Sequence, residues 1–301
     1  MGVSLHPCKV TMPADRNDCA TVLDFLIARF HRVDAEIWRQ RVADGKVHWH
    51  DKTPVAADDI YAPRQRIYYY REVEQEAEIP FQEDIIYQDD EILVACKPHF
   101  LPVIPRGKYV EQCLLNRLRQ RTGIQTLAPM HRIDRETAGI VLFSVNPETR
   151  HLYHALFRET NNIRKTYRAV AWLNGAVKPE VGQRWSVCNR MEQGAPWFRM
   201  KISQGGDVNA RSEINCLAIR GDKGLFELTP VTGKTHQLRV HMSSLGYPLV
   251  NDRLYPELQP EAADDFSSPL QLQALRMEFT DPLTSQLRRF DSSRKLDFDA
   301  E

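Results

Sequence analysis

No stretch of this chain restricts its fold and chemistry as tightly as Pro129-Met130-His131-Arg132-Ile133-Asp134-Arg135-Glu136-Thr137-Ala138-Gly139-Ile140-Val141-Leu142-Phe143-Ser144. Ile140 to Phe143 is a continuous apolar run rich in β-branched and aromatic types, which predicts a buried strand. Ahead of it, one carboxylate, Asp134, sits between Arg132 and Arg135. Gly139, at the junction, suits a tight turn or a close approach of backbone to a ligand. A charged loop feeding a buried strand is where a rigid scaffold often holds a catalytic group. The plain alternative is a surface turn whose Asp is solvated or paired with a neighbouring Arg, an arrangement of little energetic worth.

The 301 residues can bury a substantial core and hold two domains. A hydrophobic share of 42% and a charged share of 27% fit a soluble globular protein. No run reaches the length of a membrane span, and the first residues have no signal-peptide h-region, so a cytoplasmic protein is expected. The six cysteines are scattered without a Cys-x-x-Cys pair and read as reduced thiols. His236 and His241 lack the i, i+4 spacing of a zinc helix, and no cluster completes a site, so no metal and no cofactor is expected. The net charge is zero, but residues 104–168 carry twelve Lys/Arg against five Asp/Glu, while residues 72–91 carry nine Asp/Glu and no base. The basic centre favours an anionic ligand there.

In chain order, residues 1–18 read as an irregular lead-in. Apolar spacing predicts helices over Thr21–Phe30 and Asp34–Ala43, then strands over Val47–His50 and Arg66–Tyr70. Residues 72–80 lack apolar periodicity and read as an acidic joint. A strand–turn–strand unit follows from Ile85 to Pro98. Helices are expected over Val110–Arg121, with Arg117, Arg119 and Arg121 on it as possible backbone-binding cations, and over Asn146–Arg158. A strand is expected over Arg164–Trp172, antiparallel strands over residues 181–228, and another strand over Leu270–Phe279. The tail Ser292–Glu301 is polar and expected to fray.

The central string, His131-Arg132-Ile133-Asp134 then Thr137-Ala138-Gly139, resembles the signature of the RluA-like RNA pseudouridine synthases, with Ile133 for the usual Leu and Ala138 for Ser. Two further strings resemble that family in the same order: Lys165-Thr166-Tyr167-Arg168-Ala169, and Thr232-Gly233-Lys234-Thr235-His236-Gln237-Leu238-Arg239-Val240-His241 followed by Gly246-Tyr247-Pro248 and Asn251-Asp252. Lys234 stands for the family's Arg and Asn251 for its Gly, an exchange tolerable because Asn adopts positive φ. Lys97-Pro98 resembles the start of the catalytic domain, although His99-Phe100 stands where a Gly usually follows. Residues 20–71 resemble, more weakly, an S4-like RNA-binding domain, with His50-Asp51 replacing its Asn-Gly.

The resemblance implies an α+β architecture. It comprises a catalytic domain on a long, mainly antiparallel mixed sheet over residues 85–301, an acidic linker at 76–84, and a small α/β S4-like domain with its lead-in at 1–75. It implies isomerisation of a uridine in RNA to pseudouridine, with Asp134, Tyr167 and Arg239 as catalytic residues. Asp134 would attack C1′ or stabilise charge developing there, Arg239 would be its buried cationic partner, and Tyr167 would be a base or a platform under the uracil. The reference phenol pKa of about 10 favours the platform. Arg132 would enter the space left by the flipped base. His131, Arg135, Thr137, Lys165, His236 and Gln237 would complete the substrate site. The expected partner is RNA, with ribosomal RNA favoured by the S4-like module and transfer RNA the alternative, and the expected state is a monomer. Two rivals are a catalytically silent RNA-binding protein and a glycosidic-bond hydrolase. The second needs an opposing carboxylate, which Glu136 on the same loop does not obviously supply.

Overall fold

A computed structural model of the chain describes residues 2–3, 7–15, 18–31, 33–70, 72–73, 76–158, 162–173 and 177–299. They fall into two compact units, residues 1–77 with 105–111, and residues 78–104 with 112–301. The expected division put the whole of 85–301 in one domain; the segment 105–111 instead groups with the first unit.

In the first unit, helices Val22–Arg29 and Ala35–Ala43 cover one face of a three-stranded antiparallel sheet ordered Cys8–Thr11, Arg66–Tyr69, Val47–Trp49. Thr21 caps the first helix in a reciprocal pair with Asp24, and Asp34 caps the second. The core joins Phe25, Leu26, Trp38 and Val42 of the helices to Val10, Val47, Trp49, Ile67 and Tyr69 of the sheet. The lead-in is therefore not irregular, because Cys8–Thr11 forms an edge strand. Residues 1, 4–6 and 16–17 of it lie outside the described residues.

The second unit is built on a ten-stranded sheet. Its order is Arg184–Asn189, Ala210–Arg220, Lys223–Pro230, Ile163–Trp172, Leu272–Thr280, Ala138–Ser144, Ile92–Lys97 and Asp84–Gln88, with Leu287–Asp291 and Ala128–Pro129 pairing off this path. Among the described residues every pairing in this sheet is antiparallel except Leu272–Thr280 with Ala138–Ser144. Gly139 lies at that junction with φ +113°, and a Cβ there would sit 2.1 Å from the Ala274 carbonyl oxygen. Its close approach is to the neighbouring strand. Tyr167 pairs with Ala274, which in turn pairs with Gly139, so one row crosses three central strands. Beside Tyr167 the register slips by a bulge, a device that re-aims a side chain.

Three local expectations differ from the structure. The helix expected from Val110 begins only at Leu114, with Arg117 and Arg119 half-buried and Arg121 exposed. Arg117 donates to the carbonyls of Ile79 and Phe81, Arg121 to that of Glu83, and Arg119 to that of Leu127, so all three tie the helix to neighbouring backbone. Those contacts also make residues 79–83 a packed segment, with Ile79 and Glu83 buried, where a solvated linker was expected. The tail packs as well: Leu296 and Phe298 are buried against Val170, Leu225 and Val250, because Gln271 and Gln273 anchor the backbone around them. Residues 300–301 lie outside the described residues.

Candidate active site

Asp134 lies on the loop that precedes strand Ala138–Ser144. The end of the adjacent strand Ile92–Lys97 fixes that loop. The fully buried Lys97 ammonium donates to the carbonyls of Pro98, Leu101 and Arg135 at 2.9, 2.7 and 3.0 Å. His99 Nδ1 donates to the Glu136 carbonyl at 2.6 Å. Burial pulls Lys97 down to about 7 and His99 down to about 4. Phe100, where the family's Gly is missing, takes φ +64°.

The short helix Gln237–Ser244 brings Arg239 to the loop. It starts from His236 in the left-handed region, φ +53°, and six of its eight residues are buried. Gln237 ties down the preceding turn. Its carbonyl oxygen accepts from Thr232 Oγ1 and Lys234 N, and its amide donates to Arg211 O and Ser212 Oγ. Arg239 is 2% exposed and forms a two-pronged pair with the fully buried Asp252, Nε to Oδ2 at 2.9 Å and Nη2 to Oδ1 at 2.7 Å. Burial alone would lower the Arg239 pKa, but the hydrogen bonds and charge of Asp252 raise it further above its ordinary value. Its Nη1 has no hydrogen bond and stands between two carboxylates, 3.7 Å from Asp134 and 3.8 Å from Glu136. Burial acts to raise the Glu136 carboxyl, yet Arg239 and Arg135 together hold it below its usual value.

His236 Nε2 approaches Asp134 Oδ1 at 3.9 Å, while its Nδ1 bonds the Tyr255 hydroxyl at 2.9 Å. That hydroxyl oxygen accepts the Met200 N–H at 2.7 Å. Desolvation keeps His236 below the ordinary histidine pKa despite the nearby Asp134 charge. Asp134 itself remains 26% exposed, so a ligand can reach it. Tyr167 is half-buried, and burial plus the Asp134 charge push its phenol well above 10.

The structure thus gathers Asp134, Arg239, His236 and Glu136 around one point, with Tyr167 close enough to feel the Asp134 charge. Lys165, two residues earlier on the same strand, has its ammonium 3.9 Å from where a Gly233 Cβ would lie, and burial lowers its pKa. Arg132 is exposed, with no hydrogen bond or ion pair among the described residues. Three expected binding residues also make contacts within the protein. His131 accepts the Leu142 N–H and stacks on Phe157, and burial lowers its pKa to about 3. Thr137 is buried, and its N–H donates to the Asp134 carbonyl. Arg135 is held by Asp264 through two bonds of 2.8 Å. Asp252, Tyr255, Lys97, His99 and Asp264 brace these residues without having been given a role from the sequence; Asp252, Lys97 and His99 lay in quoted strings, Tyr255 and Asp264 in none.

Residues 91–244 match the family described as RNA pseudouridylate synthase. An uncharacterized RNA pseudouridine synthase of Synechocystis is 30% identical over 234 residues, 78% of this chain and 79% of that one. The dual-specificity RNA pseudouridine synthase RluA of Haemophilus influenzae is 30% identical over 219 residues, 71% of this chain and 94% of its own. Among solved structures, human RNA pseudouridylate synthase domain containing 1 superposes with a TM-score of 0.57 at 24% identity, covering 73% of this chain and 86% of that one.

Proposed function

The chain belongs to the RNA pseudouridylate synthases, enzymes that isomerise uridine in RNA to pseudouridine, and from that premise we propose how its own residues carry the reaction. The N1–C1′ bond of a flipped-out uridine breaks, the uracil turns, and a C5–C1′ bond forms; C5 loses its proton and N1 gains one, so the product is an isomer. Asp134 is the carboxylate that acts on the sugar. The observation that carries this role is its position: a partly open carboxylate facing the unbonded Nη1 of a buried arginine at 3.7 Å. A guanidinium fixed in place before substrate arrives needs no reorganisation as charge develops. Asp252 holds that arginine rigid from behind.

Tyr167 is the platform under the uracil rather than the base that takes the C5 proton, because burial and a neighbouring anion both oppose the phenolate. Arg132, exposed and uncommitted, fills the place the flipped base leaves in the RNA stack. Lys165 faces the backbone of the RNA. The substrate is a structured ribosomal RNA; the "dual-specificity" in the Haemophilus relative's name is the reason to test transfer RNA beside it.

The test is tritium release from RNA labelled at C5 of uridine, with ribosomal and transfer RNA assayed separately, wild type against Asp134→Asn. Release with one RNA class and none from the variant is expected. Unchanged release from Asp134→Asn would remove Asp134 from the centre of the reaction.

A further inference from the structure

The first unit's sheet has two faces, and only one is used by the core. Side chains alternate along each strand, so Val10, Val47, Trp49, Ile67 and Tyr69 point to the helices. The alternate positions form the other face. Lys9 pairs with Tyr68, and Tyr68 pairs with His48, so these three lie in one row across all three strands. Arg66, His50 and Tyr70 extend the row along the strands.

The four rings form one surface. His48 stacks on Tyr68 with centroids 5.4 Å apart and planes within 4°. His50 lies 5.7 Å from Tyr68 and bonds its hydroxyl through Nδ1 at 2.9 Å, and Tyr70 lies 5.9 Å from His48. His48 is fixed in turn by Nδ1, which donates to the Trp49 carbonyl at 2.7 Å. Lys9 and Arg66 flank the rings, are exposed, and meet no carboxylate among the described residues. Asp51, next to His50, turns into its own loop to accept the Thr53 N–H at 3.0 Å.

We propose that this outer sheet face, made by Lys9, His48, His50, Arg66, Tyr68 and Tyr70, binds unpaired nucleotides of the substrate RNA. With His48 stacked on Tyr68 and His50 bonded to the Tyr68 hydroxyl, the rings are held in place and their open faces give bases surfaces to stack on, while the uncommitted cations beside them take phosphates. Tyrosine and arginine also serve protein interfaces, but here both flanking charges are cations without a carboxylate partner among the described residues, and besides the exposed Pro54 opposite His48 and the methyl of Thr11 the face is ringed and cationic, which suits bases and phosphates. A single-stranded segment uses every feature present. The proposal rests on the RNA-isomerase reading only for the presence of RNA; it concerns binding, in a unit that contributes none of the residues around Asp134.

The test uses the full chain and a fluorescein-labelled, mixed-sequence 12-nucleotide RNA, read by fluorescence anisotropy. Tyr68→Ala is expected to weaken binding about tenfold, the loss of one stacked base. The exposed double variant Lys9→Glu/Arg66→Glu is expected to weaken it as much and to flatten the salt dependence by about 1.4 in log–log slope, two single-strand phosphate contacts. In the tritium assay both should raise KM and leave kcat unchanged. Dissociation constants and KM within twofold of wild type for the double variant would overturn the proposal, whether or not Tyr68→Ala folds. Asp134→Asn is expected to bind the oligonucleotide as wild type does. An active Asp134→Asn would remove Asp134 from the reaction and leave the binding result standing.

Discussion

Asp252→Asn is the sharpest perturbation of the site, because it changes one buried atom and leaves the shape. In the native pair, Asp252 Oδ1 accepts from Arg239 Nη2 and from the N–H groups of Leu254 and Tyr255, while Oδ2 accepts from Arg239 Nε at 2.9 Å. An Asn that keeps its oxygen in the Oδ1 position preserves the turn, but its NH2 then faces the Nε–H, donor against donor. One charge-assisted bond is lost, worth about 1.5–3 kcal/mol, and a buried guanidinium loses its one hydrogen-bonded counter-charge. Asp134 and Glu136, at 3.7 and 3.8 Å from Nη1, stand too far to replace it by hydrogen bonding. The total expected loss is about 3–5 kcal/mol, the usual cost of breaking a buried pair from one side. Urea unfolding measures it, and single-turnover tritium release measures whether Arg239 still faces Asp134. The double variant Arg239→Leu/Asp252→Leu should recover much of the stability and none of the activity. If Asp252→Asn lost less than about 1 kcal/mol and kept its turnover, Arg239 would not depend on Asp252, and the idea of a rigid, pre-placed guanidinium would fail.

Gly139→Ala should abolish soluble, active protein, since its Cβ would lie 2.1 Å from the Ala274 oxygen at φ +113°; recovery of wild-type amounts with a normal melting temperature would show that the parallel junction gives way easily. Arg132→Ala and Arg117→Ala should separate function from stability, the first lowering kcat/KM with an unchanged Tm and the second lowering Tm with little effect on saturated turnover. Burial lowers the pKa values of His131 to about 3 and His241 to about 4, below their unfolded value near 6.5, so between these limits the unfolded chain binds more protons than the folded one. Stability is complete above pH 6.5 and falls as pH drops towards 4; urea midpoints across that range check it, and His241→Gln should make the decline shallower.

The central sheet was largely legible because its strands are locally written. Ile92–Lys97 and Ala138–Ser144 are buried throughout, so their apolar runs carry no competing helical period. Asn251 was readable for a similar reason: an Asn in the place of a Gly takes φ +62°. His236 was not, since nothing in its neighbours demands a helix that begins from the left-handed region without a side-chain cap. The carbonyl partners of Arg117 and Arg119 were not legible, because charge on a helix looks alike whether it faces solvent or a neighbouring carbonyl.

The site shows the same division. Asp134, Tyr167 and Arg239 were legible because they stand in strings that resemble a known family's. The groups that hold them do not, because their signal is pairing across the chain: Arg135 with Asp264, 129 residues later, or Lys97 with the Arg135 carbonyl, 38 residues away. A carbonyl leaves no mark in a sequence, and Asp264 stands in no recognisable string. His99 makes the point most sharply. It was legible only as a departure from the resembling family, which usually has a Gly there, yet its ring donates to the backbone carbonyl of Glu136 on the Asp134 loop. His99→Ala should therefore lower kcat with RNA affinity preserved, and an unchanged kcat would mean that Lys97 alone sets the loop.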